Sequence, residues 1–181
     1  MPLTINVPGT ELWDSAHNMF ITTKPCTLVL EHSLISISKW ESKHHKMWLE
    51  TKDKTGQEYL DYIRCMTING NVPETAYYAL TQKDLEDILK YMEDPMTASY
   101  VSDVPNSKSR QEPVSSELIY YWMITYGIPV EFEKWHINRL LMLIKICTRK
   151  AGNMSKADKK AMDQRRAEIN RARRAKLGTK G

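Results

Sequence analysis

The first 31 residues alternate apolar and polar positions in short runs, with the period of two that is typical of β-strands. The clearest run is Leu3-Thr4-Ile5-Asn6-Val7, which Pro8-Gly9 ends with a turn signal. Three further short candidates follow, at 11–13, 19–22 and 27–30. The pattern predicts three or four short strands that form a small antiparallel sheet or meander.

From about residue 32 the apolar spacing changes to that of helices. We predict a first helix near 33–44. Thr55 and Glu58 form the sequence of a capping box, which predicts a helix start at that point. Thr81 is expected to cap a further helix, whose core-facing stripe lies at i, i+3, i+4 and i+7. The members of this stripe are Leu85, Ile88, Leu89 and Met92.

Two apolar helices are predicted after a long polar loop at 99–114. Ser115 caps the first of them, and Gly127 and Pro129 end it. The second runs from about Val130 to Arg149, and between residues 140 and 147 it is apolar on nearly every side. Because a helix that is apolar all round is expected to be buried, we predict that the two helices form a hairpin at the centre of the core.

These elements predict an α+β fold that is mainly α. It has a small N-terminal antiparallel sheet, a helical core with a central helix hairpin, and a C-terminal basic helical arm. Residues 1–150 are expected to form the globular domain and residues 151–181 the arm. Ser155 is a suitable cap for a helix that extends through about residue 176, and that helix has no wide apolar face.

The charge is divided unevenly between these two parts. Residues 149–181 contain twelve Lys/Arg and three Asp/Glu, a net charge of +9. The preceding 148 residues contain fourteen and nineteen, a net charge of −5. Such an arm suits nucleic-acid phosphates, an acidic protein surface including a neighbouring copy, or a role in solubility alone. The candidate partner-binding residues are Arg165, Arg166, Arg171, Arg173, Arg174 and Lys176.

The remaining composition favours a non-enzymatic protein of a reducing compartment. No run approaches the roughly 20 apolar residues of a membrane span, and the N-terminus lacks the pattern of a signal peptide. Cys26, Cys65 and Cys147 match neither a disulfide framework nor a zinc site, so we expect buried free thiols. The ten Met and five Trp residues suit adaptable or half-buried contact surfaces.

Candidate catalytic chemistry is sparse. Lys43-His44-His45-Lys46 lies between Trp40 and Trp48, and adjacent histidines are poorly placed to share a metal. We expect a solvated charged edge with both tryptophans packed inward. We expect His136 to be a hydrogen-bonded structural residue. Because the sequence contains no Gly-x-Ser-x-Gly motif and no phosphate-binding glycine loop, it predicts no catalytic residues, metal or cofactor.

Four segments together resemble a known family, at 34–43, 116–124, 133–141 and 165–181. They include Ser-Lys-Trp-Glu-Ser-Lys at 38–43, Tyr-Tyr-Trp-Met-Ile at 120–124 and Lys-Trp-His-Ile-Asn-Arg at 134–139. The chain is similar to small proteins encoded among the tail genes of tailed bacteriophages and prophages of Gram-positive bacteria. The resemblance covers most of the chain.

The resemblance implies a role in tail morphogenesis, either as a tail-assembly chaperone or as a minor structural component. It implies tube or tape-measure proteins, or copies of the chain itself, as partners, and it brings no catalytic residues. The expected location is the host cytoplasm during assembly, or the virion. The alternative from the residues alone is a nucleic-acid-binding module that uses the basic arm; no membrane partner is expected.

Overall fold

A computed structural model describes residues 1–15, 17–100 and 113–152, together with five single positions at 164, 167, 168, 171 and 174. The fold is α+β and mainly α, as predicted. The strands are β1 (Leu3–Val7), β2 (Glu11–Asp14), β3 (Met19–Thr22) and β4 (Cys26–Leu30). The helices are α1 (Leu34–His44), α2 (Gly56–Met66), α3 (Thr75–Tyr78), α4 (Gln82–Glu93), α5 (Ser116–Tyr126) and α6 (Ile137–Gly152), with a 3-10 helix at Val130–Lys134.

The four predicted strands all form, but they make two separate two-stranded sheets and not one meander. β1 pairs antiparallel with β4, with Leu3 opposite Leu30 and Val7 opposite Cys26. β2 and β3 pair with each other as a hairpin inserted between them. Alternation gives the strands but not their partners, because a period of two is compatible with any of these pairings.

The core lies between the β1–β4 sheet and the helices. It includes fully buried side chains from β4, α1, α2, α5 and α6, among them Leu28, Leu34, Trp40, Tyr62, Ile119 and Leu140. The sequence marks where several of these helices begin. Thr55 and Glu58 form the predicted capping box of α2, and Ser115 accepts a hydrogen bond from the Leu118 N–H at the start of α5. Gly127, at φ 65°, ends α5 in the left-handed region.

α5 and α6 contact each other, but the helix expected over 130–149 is divided. A 3-10 helix covers Val130–Lys134, and α6 begins only at Ile137. The cause is a tertiary contact. Ser33 and His136 form an isolated β-bridge, and the Ile137 N–H donates to the His32 carbonyl at 2.8 Å. The backbone at His136 is therefore extended and cannot continue a helix.

Two expectations about burial are wrong. Between residues 140 and 147 of α6, Leu140 and Ile144 are buried but the other apolar residues are only partly buried, so the helix has one buried face. In α4, Leu89 is 45% exposed, and Tyr91 takes the buried place beside Ile88. Among the helices of the described ranges, none is both long and apolar enough to cross a membrane.

Candidate interaction site

The structure describes two of the six predicted partner-binding residues. Arg171 and Arg174 are helical and exposed, which agrees with a helical arm at these positions. They are three residues apart, so they share one face of a helix. The other four, Arg165, Arg166, Arg173 and Lys176, lie outside the described residues.

The β2–β3 hairpin carries an exposed aromatic pair that sequence reasoning did not assign to a surface. Trp13 and Phe20 lie directly opposite each other in the register. Their rings meet edge to face with centroids 4.9 Å apart, a favourable aromatic geometry. They remain 53% and 63% exposed. Two large aromatic side chains are therefore held together in solvent.

The strand alternation explains why this pair faces outward. Leu12 lies opposite Ile21, and both side chains project from the other face of the hairpin. Leu12 packs against the core, so that face points toward the body of the protein. Trp13 and Phe20 consequently occupy the face that points away from it. The hairpin uses one apolar face for attachment and leaves the second available for contact.

A second group of exposed apolar side chains lies on α5. Tyr121 is 61% exposed and Ile124 is 76% exposed. Ile119 and Met123, on the opposite side of the helix, are buried in the core. Single exposed apolar residues are common on protein surfaces. Because no described aromatic ring packs against Tyr121 and Ile124 as Phe20 packs against Trp13, this group is the weaker candidate.

The lysines of the Lys43–Lys46 segment form ion pairs with acidic side chains of α2. Lys43 Nζ lies 2.8 Å from Asp61 Oδ2, and Lys46 Nζ lies 2.5 Å from Glu58 Oε1. Arg64 reaches the other oxygen of Asp61 at 2.6 Å. The Lys46 ammonium and the Thr55 backbone N–H hold the pKa of the Glu58 carboxyl down at about 2. Lys43 therefore connects α1 to α2, Lys46 connects the segment after α1 to α2, and the Arg64 pair lies within α2.

The two tryptophans beside this network pack inward, as predicted. Trp40 is fully buried and its indole N–H donates to the Glu58 carbonyl at 3.0 Å. Trp48 stacks on Tyr62 with ring centroids 3.5 Å apart. His44 stacks on Trp40 at 4.5 Å, while His45 ends α1 in the left-handed conformation. The adjacent histidines therefore take different structural roles.

A buried carboxylate joins α1 to the start of α5. Glu41 Oε1 accepts the Trp48 N–H at 2.8 Å, and Oε2 accepts the Ser116 N–H at 2.8 Å. Ser116 is the first residue of α5, where backbone N–H groups lack helical partners and favour negative charge. Glu41 also borders an open groove of about 660 Å³ between these elements. Since it satisfies two backbone donors, its role is structural.

His136 is the centre of a second set of buried polar contacts. Its Nε2 donates to the Tyr91 carbonyl at 3.0 Å, and its Nδ1 accepts the Asn138 N–H at 3.3 Å. These two bonds fix the neutral tautomer, and burial lowers the pKa of His136. His136 is a hydrogen-bonded structural residue, as the sequence predicts.

His32 lies against this group. Its ring contacts that of His136 at 5.0 Å, and its Nδ1 lies 2.5 Å from the Tyr62 hydroxyl. Burial, with the neighbouring His136 adding to it, lowers the pKa of His32 to about 3. Burial raises the pKa of Tyr62 well above its ordinary value. Both groups are therefore neutral at pH 7, and their contact joins the segment that follows β4 to α2.

Within the described part of the chain, no group of three His, Cys, Asp or Glu side chains is arranged to hold a metal ion. In the described part of the chain none of the three cysteines forms a disulfide, and all three are half-buried, which is less burial than predicted. Burial raises the pKa of the Cys65 thiol, which lowers its reactivity at neutral pH.

Comparison with models of protein families, with curated proteins and with solved structures gives no match for this chain.

Proposed function

We propose that this protein is a non-enzymatic binding protein that acts through protein–protein contacts, and that its role is in the morphogenesis of a phage tail. The observation that supports the contact function is the exposed Trp13–Phe20 pair. Tryptophan and other large aromatic residues contribute a disproportionate share of binding free energy at protein interfaces. The tail role is supported by the sequence resemblance.

The geometry of the pair suits binding. Each ring is held against the other on a hydrogen-bonded hairpin, so little side-chain freedom remains to be lost when a partner covers them. The proposed partners are tube or tape-measure proteins, or further copies of the chain. Both partner classes place the protein in the host cytoplasm during assembly or in the virion.

The test of this proposal is the double variant Trp13→Ser/Phe20→Ser, which removes the aromatic face. Since both side chains are exposed, we expect the free energy of unfolding to fall by less than about 1 kcal/mol. We expect a phage whose own gene is interrupted to yield at least about tenfold fewer tailed particles when complemented with this variant than with the unchanged gene.

The matched control is Tyr121→Ser/Ile124→Ser, which removes two apolar side chains from α5 that are at least as exposed. We expect this control to complement normally. Particle yields are counted by electron microscopy, and thermal unfolding of each purified variant checks that it folds.

Nucleic-acid binding through the arm is the second candidate function, and the exposure of Arg171 and Arg174 favours it. If the arm contacts phosphates, Arg171→Gln/Arg174→Gln should reduce the slope of log Kobs against log salt concentration by up to about 2. Lys83→Gln/Lys90→Gln, which removes two exposed charges from α4, is the matched control. If the arm variant and the α4 control had equal salt slopes, nucleic-acid binding through the arm would be excluded. The proposal that the protein acts through protein contacts predicts equal slopes.

A further inference from the structure

The β2–β3 hairpin has two open edges. The two strands form a sheet by themselves, and within the described residues no further strand, β-bridge or loop backbone hydrogen bond reaches the outer side of either one. An open edge presents unpaired N–H and C=O groups, which is a template for pairing with another chain. Either edge of the hairpin is therefore a candidate site for pairing with a strand of another chain.

The register identifies the backbone groups on the outer edge of β3. The Thr23 N–H donates to the Thr10 carbonyl at 2.7 Å, so these two residues form a hydrogen-bonded pair. Bonded and non-bonded pairs alternate along an antiparallel ladder. The Trp13–Phe20 pair, three steps along the register, is therefore non-bonded, as is the pair of Glu11 with Thr22. The N–H and C=O groups of Phe20 and Thr22 consequently point outward.

The two edges differ in charge. The sequence of β2 is Glu-Leu-Trp-Asp, with a formal charge of −2, whereas that of β3 is Met-Phe-Ile-Thr, with none. Charged residues and proline are the usual protection of an edge strand, and β3 has neither. Two β2 edges brought together would place four acidic residues on one short ribbon. Two β3 edges bring together none.

We propose that the outer edge of β3 binds the β3 edge of a second copy of this chain, so that two hairpins form one four-stranded antiparallel sheet; this inference rests on the proposed protein-contact function. A two-fold axis at Ile21 places Phe20 opposite Thr22 of the partner subunit. Because the outward groups of both strands then face each other, the pair can form four backbone hydrogen bonds. The arrangement also places two Trp13–Phe20 pairs on one continuous face.

The same axis places Ile21 opposite its own copy in a non-bonded pair. The Cα atoms of such a pair are about 4.5 Å apart, within the roughly 4.4–6.8 Å range of disulfides. We therefore expect Ile21→Cys to form a disulfide-linked dimer under mild oxidation. Leu12→Cys is the matched control, because Leu12 lies opposite Ile21 on the same face but on the β2 edge. The unchanged chain controls for its three native thiols.

A second pair of variants tests the edge without a disulfide. Thr22→Pro removes an outward N–H from β3, and Glu11→Pro removes one from β2. Neither N–H is used inside the hairpin, so both proteins should fold. We expect the full-length chain to dimerise with increasing concentration in sedimentation velocity, Glu11→Pro to behave in the same way, and Thr22→Pro to be monomeric. Thr22→Lys and Glu11→Lys repeat the comparison without constraining the backbone.

A disulfide-linked dimer that Ile21→Cys forms and Leu12→Cys does not form would support the proposal, because it shows that the dimer uses the β3 edge. A chain that stays monomeric at every soluble concentration would overturn it, and so would equal crosslinking at both positions. Either of these contrary results leaves the aromatic face open to a different protein. The complementation test of Trp13→Ser/Phe20→Ser therefore fails or succeeds independently.

Discussion

Glu41→Ala is expected to lower the free energy of unfolding by about 3 kcal/mol. The substitution leaves two buried backbone N–H groups, those of Trp48 and Ser116, without an acceptor. It also removes the negative charge from the first turn of α5, where the helix dipole favours it. For a chain of this size, the loss corresponds to a fall of about 6–12 °C in the melting temperature. Thermal unfolding followed by circular dichroism measures it.

Glu50→Ala is the matched control for this prediction. The Glu50 carboxylate also accepts a backbone N–H, that of Val114 at 3.3 Å, but it does so in solvent. We expect its removal to cost less than about 1 kcal/mol. If the two variants lost the same stability, Glu41 would not be the buried connection between α1 and α5 that its contacts indicate.

Acidification is expected to destabilise the protein well before its carboxylates are protonated. The folded state keeps His32 neutral, with a pKa of about 3, against about 6.5 in the unfolded chain. Below pH 6.5 the unfolded state therefore binds the extra proton, and stability falls as the pH is lowered toward 3. The expected loss from His32 between pH 7.5 and pH 5 is roughly 2 kcal/mol. The lowered pKa of His136 adds to it in the same direction.

Urea unfolding at a series of pH values measures this loss. Glu58 has a pKa of about 2 against an ordinary value of 4.5, so its contribution to stability is lost only as the pH falls below about 4.5. The two effects therefore occupy different pH ranges. His32→Gln is the control, because it removes the titrating group at that position. We expect a smaller pH dependence between 5 and 6.5 in this variant. A wild-type stability that is flat over that range would contradict the role assigned to the buried histidines.

Local signals in the sequence predicted the elements better than their contacts. The capping box at Thr55 and the cap at Thr81 predicted the starts of α2 and α4, because a cap depends on residues only three positions apart. The break at His136 was missed because it depends on a bridge to Ser33, about a hundred residues away. The role of Glu41 was missed for the same reason, since its acceptor contact with Ser116 is equally non-local.

The candidate contact surface was missed for a different reason. Short alternating runs around Trp13 and Phe20 predicted two strands, but which face each aromatic side chain occupies depends on the register of the hairpin. A shift of this pairing by one residue would have placed Trp13 and Phe20 on opposite faces of the hairpin. The arm, in contrast, was predicted from its charge, its cap and its lack of a wide apolar face, which are all local features; Arg171 and Arg174 are two of its described residues and are exposed.

The most direct test of the proposed function is complementation of the interrupted phage gene with Trp13→Ser/Phe20→Ser. If the protein works through its exposed aromatic pair, this variant folds, and the yield of tailed particles falls at least about tenfold, while Tyr121→Ser/Ile124→Ser restores it. A normal yield from the folded Trp13→Ser/Phe20→Ser variant would contradict the assignment of function to this surface.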